Sequence, residues 1–134
     1  GWFDDVADAT EMRRRLRPNV VLSDCPAFFE DRLFADRGEG VRFTAGETEL
    51  LGVNPCQRCV VPSRDPDPGP EIDGFRERFV RKRRETRPAW LDSDRFDHAF
   101  RLMVNTVVPE ASWGDTVAVG ESIAIGDVVA VDGA

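Results

Sequence analysis

The chain has 134 residues, 41% of them apolar, which is enough for one hydrophobic core and too few for a multidomain enzyme. No stretch approaches the ~20 apolar residues of a membrane-crossing helix, and Gly1-Trp2-Phe3-Asp4-Asp5 has neither the basic start nor the apolar run of a signal peptide. A net charge of −7 argues against the basic footprint that non-specific nucleic-acid binding requires.

We read residues 1–134 as a single domain and, since no initiator Met is present, as the C-terminal part of a longer protein. All but one of the 18 basic residues are arginine, the exception being Lys82. A base-composition bias or a salt-adapted proteome accounts for most of them. The others are candidates for rigid forks that grip phosphate or carboxylate. Cys25, Cys56 and Cys59 are an odd number, a poor disulfide framework that fits a reducing, cytoplasmic setting.

Residues 4–16 read as a helix capped by Asp4 or Asp5, with Val6, Ala9, Met12 and Leu16 on one face. Arg13–Arg15 suit the negative end of its dipole, and Pro18 stops it. Short strand-like runs follow at 19–23, 41–44, 49–53 and 59–61. Residues 62–70 carry four prolines and a glycine and read as a loop. A second helix spans 71–85, with Ile72, Phe75 and Phe79 inward and Arg76, Arg78, Arg81, Lys82, Arg83 and Arg84 on the solvent face. A strand is expected at 100–106, then short strands at 116–119, 122–125 and 128–131 separated by Gly120-Glu121 and Gly126-Asp127. About seven short strands and two peripheral helices make a mostly β, α+β domain of small-barrel type.

The strongest chemical feature is Cys56-Gln57-Arg58-Cys59. A zinc site would have to recruit Cys25 and His98, in spacings unlike a zinc ribbon. A thioredoxin-type redox pair should open a helix, whereas prolines follow here. Two small packed thiols are the plain structural reading. The remaining one is a single thiolate bound to a soft metal, with the neighbouring Arg58 as a group that favours the ionised sulfur where backbone geometry brings it close.

Five segments occur in order: Arg17-Pro18-Asn19-Val20-Val21, Phe29-Glu30-Asp31, Cys56-x-Arg58-Cys59-Val60-Val61, Asp65-Pro66-Asp67-x-Gly69, and Gly120-x-x-Ile123-x-Ile125-Gly126-Asp127-x-Val129. With them the chain resembles the MOSC domain, the molybdenum-cofactor sulfurase C-terminal domain family, over about residues 10–131. It is most similar to the branch of the mitochondrial amidoxime-reducing component and its bacterial relatives. The resemblance implies a MOSC-type β-barrel that binds molybdenum cofactor (molybdopterin). It also carries an association with pyridoxal phosphate binding. It makes Cys59 the metal ligand and catalytic residue, and Arg17, Asn19 and Arg58 the cofactor-binding residues. A guanidinium matches phosphate and an amide can read a pterin edge.

The implied activity is an oxidoreductase reducing N-hydroxylated substrates. The alternative is a non-catalytic carrier of sulfur or cofactor through a Cys59 persulfide. Relatives of this branch place a further N-terminal barrel before this region, and bacterial ones often end in an iron–sulfur domain. No four-cysteine set is present here. The implied partners are therefore that N-terminal barrel or a separate electron-transfer protein, a flavin or iron–sulfur reductase.

Overall fold

A computed structural model describes residues 2–64, 67, 71–91 and 94–131. Two helices, α1 (Ala9–Leu16) and α2 (Phe75–Glu85), accompany four strands: β1 (Glu39–Ala45), β2 (Thr48–Gln57), β3 (Arg101–Val107) and β4 (Ile123–Ala130). The chain divides into two compact units. One comprises Gly1–Ala27, Gln57–Leu91 and Phe96–Leu102; the other comprises Phe28–Cys56, Asp92–Arg95 and Met103–Ala134. No helix among the described residues is long and apolar enough to cross a membrane.

The first unit is an aromatic cluster with helices around it. Phe3, Ala7, Met12, Phe75, Phe79 and Phe100 form its buried core. Phe79 is wholly buried, and it meets the rings of Trp2 and Phe100 edge-on at centroid distances of 5.1 Å each, the arrangement aromatic quadrupoles favour. Helix α1 starts later than expected. Residues 3–7 turn on the Phe3 carbonyl, and Asp8 is the cap, accepting the Glu11 N–H at 2.8 Å. Arg17 closes the helix in the left-handed region at φ 53, next to a proline that disfavours the helical one.

Along α2 the buried stripe is Phe75, Phe79 and Arg83, spaced i, i+4, i+8. Arg83 is thus not on the solvent face; it is 2% exposed.

The second unit carries an open sheet of strand order β3-β2-β1-β4. Val41, Phe43 and Ala45 of β1 alternate inward and Arg42 points out. β1 is antiparallel to β2 from Val41–Gly52 to Ala45–Thr48. That register ends at Gly52, so the missing N–H of Pro55 breaks no β1 bond, and β2 runs on through the proline to Gln57. Gly52 is required by a close approach: a Cβ there would lie 1.7 Å from the Leu33 carbonyl oxygen.

The α+β, mostly β class agrees with the sequence reading, but the barrel does not. Among the described residues the sheet stays open, with β3 and β4 at its edges. The runs at 19–23, 59–61 and 116–119 are not strands. Val20, Val21, Val60, Val61, Val117 and Val119 remain exposed, so these β-branched runs find no apolar face to cover. The two runs at 122–125 and 128–131 fuse into β4. Gly126-Asp127 is not a turn but a bulge: Val41 pairs with Val128 and Phe43 with Ile125, leaving Arg42 opposite two residues. Of the expected loop 62–70, residues 65, 66 and 68–70 lie outside the described residues.

Candidate functional site

Cys59 follows the end of β2 within the first unit and is exposed. It lines a cavity of about 620 Å³ with Arg58, Val60, Ser63, the segment Glu71–Glu77 and Phe100. Three pieces of local structure shape this hollow. The backbone N–H of Arg58 donates to the Phe100 carbonyl at 3.0 Å, fixing the chain just before the cysteine. The short 3₁₀ turn Val61–Ser63 then reverses direction, with Pro62 in it. Finally, the Ile72 N–H donates to the Ser63 carbonyl at 2.9 Å and an isolated antiparallel bridge joins Arg64 to Glu71, which draws the two ends of the proline-rich loop together.

Arg15 anchors the floor of that turn. Its side chain is 1% exposed. It donates from Nη1 to the carbonyls of Pro62 at 3.2 Å and Arg64 at 2.7 Å, and it also pairs with Glu11 one turn back. The sequence offered Arg15 only as a dipole-complementing surface cation. Its position one turn after Glu11, on the side of α1 that carries Met12 and Leu16, is the signal that could have marked it as inward.

The cavity wall is chemically mixed. The first turn of α2 contributes Phe75, Arg76 and Glu77, preceded by Gly74 in the left-handed region at φ 68. First-turn N–H groups have no partner inside their own helix, and the dipole adds partial positive charge there. Arg76 lies over the Phe100 ring, 5.6 Å from guanidinium carbon to centroid. Glu71, Asp73 and Glu77 bring carboxylates, and the Ser63 hydroxyl donates to Glu71 Oε1 at 2.7 Å.

Of the residues singled out in the sequence, the structure brings together Cys59 and Arg58. Arg58 spends Nε and Nη2 on the Leu102 carbonyl, at 3.0 and 2.8 Å. Arg17 and Asn19 are exposed on the turn after α1 and are not among the described residues that line the cavity. Ser63, Arg76 and the first turn of α2 were not anticipated; Asp73-Gly74 just before the apolar Phe75 is the sequence signal for that helix start. Cys56 is half-buried on β2. Among the described residues no group of three or more His, Cys, Asp or Glu is placed to hold a metal, so the four-ligand zinc reading with Cys25, Cys56, Cys59 and His98 is not supported.

The family model described as MOSC domain matches residues 4–130. The chain belongs to the MOSC domain family. That family is associated with molybdenum-cofactor binding and sulfur transfer. Neither a curated protein nor a solved structure matches the chain significantly. Within the family match, the Cys59 cavity is the place where an exposed thiol, a guanidinium and a helix N-terminus share one wall. A thiolate prefers a soft metal, and amide and guanidinium N–H groups prefer an anion, while Glu71, Asp73 and Glu77 on the same lining oppose one.

Proposed function

We propose that this MOSC domain binds molybdenum cofactor in the Cys59 cavity, with the Cys59 sulfur as the protein's ligand to the metal. The observation that carries the proposal is the exposed Cys59 thiol opening onto a cavity of about 620 Å³. When bound, the cofactor supplies two-electron oxygen-atom chemistry, and the reduction of an N-hydroxylated substrate is the reaction class we assign. The chain's own residues hold and orient. Cys59 supplies a deprotonated sulfur. Arg58, tied to the Leu102 carbonyl, fixes the backbone that presents it. Arg76 and the first turn of α2, which line the cavity, would hold the anionic portion. Arg17 and Asn19, both exposed, are offered as phosphate and pterin contacts on the family resemblance.

Electrons for turnover are assigned to a separate flavin or iron–sulfur protein, or to a reductase acting through an N-terminal barrel. Pyridoxal phosphate fits this wall poorly. The single lysine, Lys82, pairs with Asp5 and is not among the described residues lining the cavity, so its amine is not available there.

Anaerobic reconstitution of the chain with molybdenum cofactor tests the proposal, with metal retention measured after desalting. Wild type should retain molybdenum, and Cys59→Ser should lose most of it. Equal retention by the two removes Cys59 as the ligand. The exposure of Cys59 also suits the carrier reading. A persulfide on Cys59 in protein that retains no molybdenum would favour that reading over the enzyme.

A further inference from the structure

We propose that the exposed basic face of α2 is the surface on which an acidic electron-transfer protein docks to supply the Cys59 cavity. The inference rests on the proposed function and adds the partner's surface chemistry and its place on the fold.

Six of the eleven residues of α2 are basic: Arg76, Arg78, Arg81, Lys82, Arg83 and Arg84. Arg83 is buried, Lys82 pairs with Asp5, and Arg76 lies over the Phe100 ring at the cavity wall. Arg78, Arg81 and Arg84 are exposed, and among the described residues none of the three is in an ion pair. Their spacing of three keeps them on one side of the helix. In a chain whose net charge is −7, that concentration of cations is local.

The makeup of this face selects its occupant. Exposed guanidinium groups steer an acidic surface in and pair with its carboxylates. Glu77 and Glu85 are exposed on the same helix. Such interspersed carboxylates oppose a uniform polyanion such as nucleic acid, whereas a protein surface of patterned charge answers both signs. A helix seated on a membrane needs an apolar face to insert. The apolar stripe of α2, Phe75 and Phe79, is already buried in the core with Phe3 and Phe100.

Position selects the partner's role. The first turn of α2 lines the Cys59 cavity, and the three exposed arginines follow it along the helix. Eleven residues span about 16 Å, so a partner on this face sits within one helix length of the cavity. Arg78, Arg81 and Arg84 are not among the described residues lining the cavity, so docking on them leaves that wall free. Each turnover would oxidise the partner's reduced flavin or iron–sulfur group by two electrons in all. Two protons come from water, and the N-hydroxyl oxygen leaves as water.

The test titrates the isotope-labelled whole chain, without cofactor, with two acidic electron carriers, a flavodoxin and a two-iron ferredoxin. Backbone amides are followed by nuclear magnetic resonance. Saturable shifts centred on α2 are expected with at least one carrier, and affinity should fall as sodium chloride is raised. Basic cytochrome c, the control of opposite sign, should give none. Arg78→Gln, Arg81→Gln and Arg84→Gln together should weaken binding roughly tenfold, the sum of three exposed ion pairs, and each alone about twofold. Arg13→Gln removes an exposed arginine of α1 and should leave affinity unchanged. Absence of binding by both carriers would overturn the proposal. So would equal affinity in wild type and the triple variant, an Arg13→Gln loss as large as that of the triple variant, or shifts centred outside α2. Tighter binding to anionic lipid vesicles or duplex DNA than to either carrier would overturn it too. Molybdenum retention, measured in parallel, separates the two readings. Docking without retention removes the cofactor reading, and retention without docking removes this one.

Discussion

Replacing Arg15 by Met should unfasten the turn that carries Ser63. The change keeps an unbranched apolar stem in the space the arginine fills, so packing loss is small. It removes the donors to the Pro62 and Arg64 carbonyls, at 3.2 and 2.7 Å. The Pro62 carbonyl, which is buried, costs about 1–3 kcal/mol when left without its donor, and the Arg64 carbonyl, within reach of water, costs less. Glu11, 38% exposed, simply rehydrates. Removing a guanidinium that had been taken out of water returns part of the cost. The net expectation is a destabilisation of about 1–3 kcal/mol, a large fraction of the ~5–15 kcal/mol typical of a domain.

Urea unfolding would show this as a lower midpoint at unchanged slope. Amide hydrogen exchange supplies the local readout. The Ile72 N–H, bonded to the Ser63 carbonyl at 2.9 Å, should lose more protection than amides in the middle of α2. Arg15→Lys keeps the charge and loses the fork, and should fall between wild type and Arg15→Met. A destabilisation below about 1 kcal/mol, or uniform loss of protection with no excess at Ile72, would refute the idea that Arg15 pins this turn.

Two further outcomes follow from geometry. Gly52→Ala would place a Cβ 1.7 Å from the Leu33 carbonyl oxygen, a backbone atom that cannot swing aside; we expect about 3 kcal/mol or more of destabilisation by urea unfolding, and a loss below about 1 kcal/mol would show the approach to be looser than described. The hydrogen bond from Arg101, helped by its charge, holds the Asp97 carboxyl below its ordinary value of 3.8. A carboxyl with a lowered folded pKa adds stability that is present above the unfolded value and is lost as pH falls through the folded one. The stability gap between wild type and Arg101→Gln should therefore shrink as pH drops below 3.8, and the Asp97 carboxyl resonance should titrate higher in the variant. A gap that does not change with pH would exclude this pairing.

Much of the framework could be read from periodicity. Phe75 and Phe79 announced α2, and the alternation Val41-Arg42-Phe43-Thr44 announced β1, which runs one residue further, to Ala45. The failures share a cause: local pattern cannot report what a segment will pack against. Val20-Val21 and Val60-Val61 have strong strand propensity, yet both pairs are exposed, because β-propensity describes fit to a half-covered pleated face and none is supplied. Gly126-Asp127 has the composition of a turn, but β1 continues unbroken past it, so the extra residue is absorbed as a bulge. The cavity was half legible. Cys59 was visible from its spacing, whereas Arg76 and Ser63 share the same wall through a contact between separate segments, the bond from the Ile72 N–H to the Ser63 carbonyl.

Arginine shows the same limit most sharply, because its role depends on what it meets. The sequence presented Arg15, Arg83 and Arg95 as three among many, and only their places beside Glu11 and Met12 (Arg15) and four residues after Phe79 (Arg83) set two of them apart from Arg13, Arg81 or Arg84. In the structure each of the three is buried. Arg15 closes a turn on two carbonyls, and Arg95 gathers the carbonyls of Ala35, Asp36 and Val53 at 3.0, 2.8 and 3.1 Å. Arg83 stacks on Phe96. A planar fork with five donors can satisfy several converging carbonyls at once, which a lysine cannot do with comparable geometry. The near-absence of lysine therefore has a structural use here in addition to any compositional cause. Lys82, the one lysine, sits where a point charge suffices, against the exposed carboxylate of Asp5.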